Sequence, residues 1–305
     1  MFNSSYIVFS DKIRHALDNK RPVLALESSV IAQGLPYPVN MELAEKLEDL
    51  AESLDVTPAT IAIINGKIKI GLNRSDIEKL ATEQGLFKVS KRDIPLVIAR
   101  EGSGGTTVAS TSFIASKAGI KVFATGGIGG VHTGGENTFD ISADLTELSQ
   151  TDTVVVSAGP KSIIDLKLTL EYLETHSVPV IGYKTDTCPH FFLGHSKYPV
   201  SMKADTVDDI VKIMKLKEKL SLQGGILVVN PLKEEYCLSE NEFTDAHTKA
   251  LQEAREKKIA GNKITPFLLE KINMITSGKS QKANLILLEE NVKLASEISK
   301  TYSKI

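Results

Sequence analysis

The stretch TDTVVVSAGPKSIIDLKLTLEYL, residues 151–173, decides the fold. Its three consecutive valines predict a buried strand over 152–158, and the apolar residues at helical spacing after a Gly-Pro pair predict a helix over 162–176. Strands with continuous apolar runs are typical of sheets that helices cover on both faces. The stretch therefore indicates an α/β fold, with Lys161 at the junction between strand and helix.

The same alternation of strand and helix continues along the chain. Further strands are predicted at 22–28, 60–66, 121–127, 179–185 and 224–231, and further helices at 40–54, 75–83, 107–119 and 206–220. The last third has helical periodicity, and it could form either a layer on the same sheet or a small cap. These patterns predict a three-layer α/β/α fold with a central, largely parallel or mixed sheet and a helical C-terminal third. We expect one domain over residues 1–305, in which 1–14 form a loose N-terminal extension.

The composition argues against several classes of protein. The chain has 305 residues, and its 36 Lys and Arg against 38 Asp and Glu give a net charge of −2. That balance offers no overall attraction to nucleic acid or to an anionic membrane, and no apolar run approaches the ~20 residues that span a bilayer. Two cysteines, Cys188 and Cys237, suit a reducing compartment. We therefore expect a cytoplasmic protein without a nucleic-acid or membrane partner.

Polar or glycine-rich residues follow three of the predicted strands. Glu27 lies at the end of the first strand, GIGGVHTGGENTFD (127–140) follows another, and Lys161 follows a third. Ligands of open α/β sheets bind beyond the carboxyl ends of the strands. The three segments are therefore predicted to share one site.

Glu27 and Lys161 have residue types that suit catalysis. A carboxyl group that is partly buried at the end of an apolar strand can hold a proton and act as a general acid, although Glu27 could also cap a loop or pair with a lysine. A lysine removed from water can act as an amine nucleophile toward a carbonyl-like carbon. The alternative for Lys161 is a surface lysine at a helix N-terminus, which is the unfavourable end of a helix for a cation.

The segment from 124 to 145 suggests an anion or metal site. Its six glycines would let backbone N–H groups approach a sugar phosphate, although their spacing does not match the dinucleotide fingerprint and the loop could be only a tight chain reversal. FDISADL predicts a helix with Asp140 and Asp144 on one face, where a divalent ion or a substrate amine would relieve their repulsion. Solvated acids at a helix N-terminus are the alternative. His132 could be a ligand or a hydrogen-bond donor, or have a structural role.

A second candidate for anion binding is EGSGGTTVAST, residues 101–111. Two glycines and two threonines open a predicted helix there, which is an arrangement that binds phosphate through backbone N–H groups. An ordinary threonine N-cap would have the same pattern. Lys88, just upstream with Lys91 and Arg92, could reach the same anion.

Taken together, these motifs resemble those of the pseudouridine-5'-phosphate glycosidases, also called the indigoidine synthase A family. The matching segments are ALESSVIAQGLPYPVNMELA (25–44), KVSKRDIP (88–95), GGTTVAST (104–111), FATGGIGGVHTGGENTFDISADL (123–145), SAGPKSIIDL (157–166) and TPFLLEKINMITSGKSQKANLILLEENVKLASEIS (265–299). They occur in the family's order and cover nearly the whole chain from about residue 15.

The resemblance implies a metal-dependent enzyme, also known as pseudouridylate synthase, that reversibly cleaves the carbon–carbon glycosidic bond of the small-molecule substrate pseudouridine 5'-phosphate. Uracil and ribose 5-phosphate are the products, formed through an imine between a lysine and ribose. By resemblance, Lys161 would be the nucleophile, Glu27 the proton donor, Asp144 a proton carrier during ring opening, and Asp140 the protein ligand of a divalent metal ion such as Mn²⁺. The substrate-binding positions would be Lys88, Thr107, Val108, His132, Ser142, Ala143, Asp144 and Asn284. A homotrimer is expected.

Three other functions are compatible with parts of the pattern. A class I aldolase-type lyase would use Lys161 to form a Schiff base with another phosphosugar, without metal or release of uracil. A sugar or nucleoside kinase is disfavoured because the glycine loop does not have the form that binds nucleotides. A non-enzymatic sensor on the same fold would be expected to have lost Lys161 or Glu27, and both are present.

Overall fold

The computed structural model describes residues 5–259 and 264–305. The strands are β1 (Ile7–Phe9), β2 (Val23–Leu26), β3 (Thr57–Ile64), β4 (Lys67–Ile70), β5 (Phe87–Val89), β6 (Gly104–Thr106), β7 (Val122–Ala124), β8 (Val154–Ser157), β9 (Val180–Tyr183), β10 (Met202–Ala204) and β11 (Ile226–Val229). The helices are α1 (Asp11–Asp18), α2 (Val39–Ser53), α3 (Arg74–Thr82), α4 (Ile94–Ala99), α5 (Val108–Ala118), α6 (Gly135–Thr138), α7 (Ala143–Gln150), α8 (Leu166–Thr175), α9 (Val207–Lys219), α10 (Glu240–Glu256), α11 (Ile264–Ile275) and α12 (Lys279–Ser303). None of these helices is both long and apolar enough to cross a membrane.

The strands form one sheet in the order β1-β4-β3-β2-β7-β8-β11-β9-β10, with β6 pairing to β3 and β5 to β6. The pairs β3–β4 and β3–β6 are antiparallel. The other pairings in the described chain are parallel, so the predicted largely parallel or mixed sheet is confirmed. Because β2, β7 and β8 are parallel neighbours, their carboxyl ends meet at one edge of the sheet.

Helices cover both faces of the sheet, as the three-layer prediction requires. Successive side chains of a strand point to opposite faces, and β2 shows this directly. Leu24 packs in one hydrophobic cluster with residues of α2, α9 and α12, and Ala25 packs in the other with residues of α5, α7 and α8. The C-terminal helix α12 lies against β2, β7 and β8, so it is a layer on the main sheet.

Two predicted boundaries are wrong. The predicted N-terminal extension 1–14 contains β1 and the start of α1, because Ile7 pairs with Ile68 at the edge of the sheet and the Ser10 side chain caps α1. Residues 1–4 of that extension lie outside the described residues. The predicted helix 162–176 begins at Leu166, since the side chain of Asp165 accepts a hydrogen bond from Leu168 N at 2.9 Å and caps the helix there.

The end of β2 and the strand β6 approach each other closely beside the candidate site. The Ser28 hydroxyl donates to the carbonyl of Ile61 at 2.6 Å and accepts from Thr106 N at 2.9 Å. A Cβ atom on Gly105 would lie 2.6 Å from the Ser28 carbonyl oxygen, which is backbone and cannot turn aside. The lack of a side chain at Gly105 therefore lets the segments that follow β2 and β6 stand side by side.

We predict that Gly105→Ala lowers the free energy of unfolding by about 2–3 kcal/mol, because overpacking against a backbone atom forces the two segments apart. The control is Gly102→Ala, whose Cβ would meet the ring of Phe87 at 3.0 Å. That ring is 37% exposed and free to turn, so the control should change stability by about 0.5 kcal/mol or less. Urea unfolding measures both, and equal effects would contradict the prediction.

Candidate active site

A cavity of about 590 Å³ opens beyond the carboxyl ends of β2, β7 and β8. Its polar lining includes Glu27, Ser29, Lys88, Thr125, Lys161 and Asn284, and its apolar wall includes Phe191, Phe192, Leu269 and Leu288. Four predicted site residues, Glu27, Lys88, Lys161 and Asn284, therefore meet in one cavity although the chain separates them widely.

Two hydroxyl groups hold the carboxyl group of Glu27. Thr125 Oγ1 donates a hydrogen bond to Glu27 Oε1, and Ser29 Oγ donates to Glu27 Oε2. Both partners are hydroxyls, which can donate to a carboxylate or turn and accept from a protonated acid. The arrangement fixes the direction of the group and suits either protonation state. Neither Thr125 nor Ser29 was predicted as a partner of Glu27.

Lys161 lies in the loop after β8. Its backbone N–H donates to the carbonyl of Ile128 at 3.0 Å, which ties this loop to the glycine-rich segment. Gly159 has a φ of +82°, and a Cβ there would lie 2.1 Å from the carbonyl oxygen of Pro189. No carboxylate of the described residues forms an ion pair with the Lys161 amine. The backbone of Lys161 is therefore fixed, and its amine can react in the cavity without first breaking a salt bridge.

Lys88 is the second cation of the cavity, and it comes from β5. Burial lowers the pKa of Lys88, and the nearby cation of Lys161 lowers it further. The carboxylates of Asp144 and Glu27 act in the opposite direction and raise it. These four side chains are thus close enough to sense one another's charge, and an anion in the cavity would favour the charged form of Lys88.

The prediction that Asp140 and Asp144 share one helical face is wrong. The helix α7 begins only at Ala143, because the Ser142 side chain accepts from Asp144 N at 3.2 Å and caps it. Asp140 precedes the cap and is exposed, whereas Asp144 is 7% exposed. The Asp144 carboxylate accepts from Ala109 N at 2.9 Å and from Gly129 N at 2.8 Å.

The carboxylate of Asp140 could hold only a metal ion that takes few ligands from the protein. Residues 5–259 and 264–305 hold no group of three or more His, Cys, Asp or Glu side chains that could enclose a metal. A single exposed carboxylate suits an ion of the Mg²⁺ type, which keeps several waters. The backbone N–H of His132 donates to the backbone carbonyl of Asp140 at 3.0 Å, so the two residues are neighbours. Burial lowers the pKa of His132, and the charge of Asp140 opposes this.

The remaining predicted site residues are not in the cavity lining. Thr107 is the N-cap of α5 and Val108 its first residue, and Thr107 N donates to the carbonyl of Val89 at 3.0 Å, next to Lys88 in the chain. Val108 is buried, Ser142 is half-buried and Ala143 is exposed. The structure thus places these residues, like His132, Asp140 and Asp144, outside the lining that Glu27, Lys88, Lys161 and Asn284 share.

Glycines of the segment 124–145 allow close packing. A Cβ on Gly129 would lie 2.3 Å from Ser142 Oγ, and one on Gly130 would lie 2.1 Å from Ile164 Cδ1. The N–H of Gly129 is already bonded to Asp144. The prediction that the backbone N–H groups of this segment bind an anion is therefore wrong at Gly129, whose N–H forms an internal hydrogen bond.

Comparison with known proteins identifies close relatives. Residues 12–301 match the family model described as Indigoidine synthase A like protein. The pseudouridine-5'-phosphate glycosidase of Petrotoga mobilis is 48% identical over 303 residues, which are 99% of either chain. The enzyme of the same name from Escherichia coli is 48% identical over 297 residues, which are 97% of this chain and 95% of the relative.

Two crystal structures share the fold over nearly the full length. The prealnumycin C-glycosynthase AlnA in complex with ribulose 5-phosphate is 38% identical with a TM-score of 0.91, over 99% of this chain and 98% of its own. An indigoidine synthase A (IdgA)-like protein from Thermotoga maritima is 35% identical with a TM-score of 0.87, over 99% of each chain.

We predict that Lys161→Met raises the pKa of Lys88, because the neighbouring cation is removed while burial remains. The pKa of Lys88 should stay below its ordinary value. Lysines methylated with ¹³C-formaldehyde report each pKa by NMR, and the Lys88→Arg variant identifies the signal. The matched control is Lys167→Met, an exposed lysine on α8, which should leave the pKa of Lys88 unchanged. A Lys88 signal that titrates identically in Lys161→Met and in the unsubstituted protein would contradict the assignment.

Proposed function

Because the chain belongs to the indigoidine synthase A-like family, we propose that it is a pseudouridine-5'-phosphate glycosidase. The enzyme would reversibly cleave the bond between C1' of ribose and C5 of uracil in pseudouridine 5'-phosphate, releasing uracil and ribose 5-phosphate. The observation that carries this proposal is the meeting of Lys161 and Glu27, from the ends of two parallel strands, in one cavity of about 590 Å³.

The bond to be broken explains the need for a lysine. In an N- or O-glycoside a heteroatom leaves once it is protonated, and a pair of carboxylates suffices. The leaving atom of pseudouridine is a carbon, which is a poor leaving group. An amine that adds to C1' provides a lone pair to expel that carbon, as in other covalent catalysis by lysine. Lys161 supplies the amine and Glu27 supplies the proton.

The proposed reaction begins with opening of the ribose ring. The bond between C1' and O4' breaks, O4' takes up a proton that Asp144 handles, and Lys161 Nζ adds to C1' and loses a proton. Glu27 then protonates C5 of uracil. The electron pair of the C1'–C5 bond restores the C5–C6 double bond of uracil, and the lone pair of Lys161 forms an imine at C1'. Water hydrolyses the imine to the open-chain aldehyde of ribose 5-phosphate.

The contacts of Glu27 suit the state that follows proton transfer. Once Glu27 is ionised, both of its oxygens can accept the hydroxyls of Thr125 and Ser29. Hydrogen bonds to a charged group are the stronger ones, so the carboxylate formed in this step is stabilised where it stands. Phe191 and Phe192 on the apolar wall would limit the access of water to the reacting carbon.

The sugar phosphate and the base would bind at opposite sides of the amine. Lys88, with Thr107 and Val108 at the start of α5, would hold the phosphate, and His132, Ser142 and Ala143 would line the ribose. Asn284 would contact the base or the sugar, since its amide carries both a donor and an acceptor. Its Oδ1 would lie 3.2 Å from a Cβ placed on Gly126, so glycine leaves this wall open to the amide.

The ligand of the neighbouring structure supports ring opening. Ribulose 5-phosphate, which AlnA binds, cannot close a five-membered ring because its O5 carries the phosphate. A protein of this fold thus accommodates an open-chain pentose phosphate, which is the form that the imine mechanism requires here.

We propose that Asp140 holds a divalent ion such as Mn²⁺, with water as the remaining ligands. When bound, the ion would add positive charge at the margin that receives the anionic substrate. The family resemblance also leads us to propose a cytoplasmic homotrimer.

The central prediction concerns Lys161. The protein, incubated with Mn²⁺ and pseudouridine 5'-phosphate, should release uracil, and borohydride should leave a reduced pentose phosphate on Lys161 that peptide mass spectrometry locates. Lys161→Ala should form no adduct and lose at least about 10³-fold in kcat, while Lys167→Ala should behave as the unsubstituted enzyme. An adduct with another phosphosugar but no uracil from pseudouridine 5'-phosphate would contradict the proposal and favour an aldolase-type lyase.

Metal dependence has a separate test. Dialysis against a chelator should abolish release of uracil and Mn²⁺ should restore it. Asp140→Asn should raise the Mn²⁺ concentration for half-maximal activity by about tenfold or more, because it removes the charged ligand. Glu136→Gln, on the same exposed segment, is the matched control and should not change that concentration. Full activity after removal of metal would contradict the proposal.

A further inference from the structure

A fully buried asparagine on α12 fixes the turn at the end of β7. Asn291 is 0% exposed, and its Nδ2 donates to the carbonyl of Thr125 at 2.9 Å and to that of Gly126 at 3.3 Å. Its Oδ1 accepts from Asn230 Nδ2 at 3.2 Å, just after β11. Both ends of the amide are thus occupied, and its orientation is determined.

The carbonyls that Asn291 holds belong to the residues beside the proposed proton donor. Thr125 is 1% exposed, and its N–H donates to the carbonyl of Val156 at 3.0 Å. With its N–H bound to β8 and its C=O bound to Asn291, the peptide groups on both sides of Thr125 are fixed. The hydroxyl of Thr125 is therefore directed at Glu27 Oε1 by the backbone that carries it.

We propose that Asn291 is a positioning residue for the proton donor, acting through the hydroxyl of Thr125 on the carboxyl group of Glu27. The inference rests on the proposed function, since it concerns the step in which Glu27 protonates C5. Asn291 lies outside the cavity lining, and the hydrogen bonds of its side chain go to Thr125, Gly126 and Asn230. Its effect is therefore on proton delivery, and binding of the sugar phosphate is left intact.

The effect follows from the hydrogen bond between Thr125 and Glu27. Thr125 Oγ1 donates to Glu27 Oε1, so a displaced Thr125 leaves that oxygen of the carboxyl group without its fixed partner. A misdirected carboxyl group should lower kcat by roughly 10- to 100-fold.

The experiment compares Asn291→Leu, which keeps the volume but cannot donate, with Thr125→Val and with the double variant. For each variant, kcat and KM are measured for release of uracil from pseudouridine 5'-phosphate. The matched control is Ser299→Ala, another buried side chain of α12, which donates to the carbonyl of Val23 at 3.0 Å at the opposite end of β2. Trapping of ribose 5-phosphate on Lys161 by borohydride, without uracil, reports the sugar site independently of Glu27.

We expect Asn291→Leu and Thr125→Val to lower kcat by roughly 10- to 100-fold, with KM and trapping of ribose 5-phosphate changed less than threefold. In the double variant, loss of Asn291 should lower kcat no further than Thr125→Val alone, because the two residues act in series. Ser299→Ala should keep the kcat of the unsubstituted enzyme.

Several results would overturn the inference. An unchanged kcat in Asn291→Leu, an additive double variant, or a proportional loss of trapping would each show that Asn291 does not position the proton donor. If Asn291→Leu does not fold, Asn230→Ala decides, because it frees Asn291 Oδ1 and should lower kcat while trapping of ribose 5-phosphate is kept. An unchanged kcat there is equally contrary. Failure of the unsubstituted enzyme to release uracil would instead reject the proposed function.

Discussion

One buried carboxylate, that of Asp144, determines how the parts of the site stand to one another. It lies at the start of its own helix α7 and accepts N–H groups from Ala109 in α5 and from Gly129. Two helix N-termini thus share one negative charge, which is the favourable placement for an anion. The same bonds occupy part of the N-terminus of α5, so under the proposed function a substrate phosphate would depend on Lys88 and on the N–H groups that remain.

The parts of the fold that were predictable are those with their own apolar pattern. The strands β2, β7, β8 and β11 are short runs of mostly apolar residues that are buried whichever strands pair with them. This pattern is visible in the sequence. By contrast β6 is Gly-Gly-Thr, which has no strand pattern and is extended because β3 and β5 lie on either side of it. The start of α8 was misplaced because Ser162, Ile163 and Ile164 continue the helical spacing although Asp165 caps the helix behind them.

The site was predictable where a single residue has a type and a position that suit catalysis. Glu27 and Lys161 follow strands of the parallel part of the sheet, which brings them to one edge, whereas Lys88 lies within β5. The pairing of Glu27 with Thr125 joins residues 98 positions apart, and no spacing in the sequence relates them. For Asp140 and Asp144 the spacing was misleading. A separation of four residues suggested one helical face, but the helix begins after its cap at Ser142, which lies between them. Local spacing decides neither long-range partners nor the residue at which a helix begins.

A site with two lysines requires that its other basic groups remain neutral. Burial lowers the pKa values of His132, His190 and His247, and the three interact with one another or with Lys88. The ring of His190 lies against the carbonyls of Lys161 and Ile164, directly behind the nucleophile. Neutral imidazoles fill this space without adding charge, so the positive potential of the cavity comes from the lysines alone. Under the proposed function, the dianionic phosphate would engage Lys88, and Lys161 would be the amine that attacks the sugar.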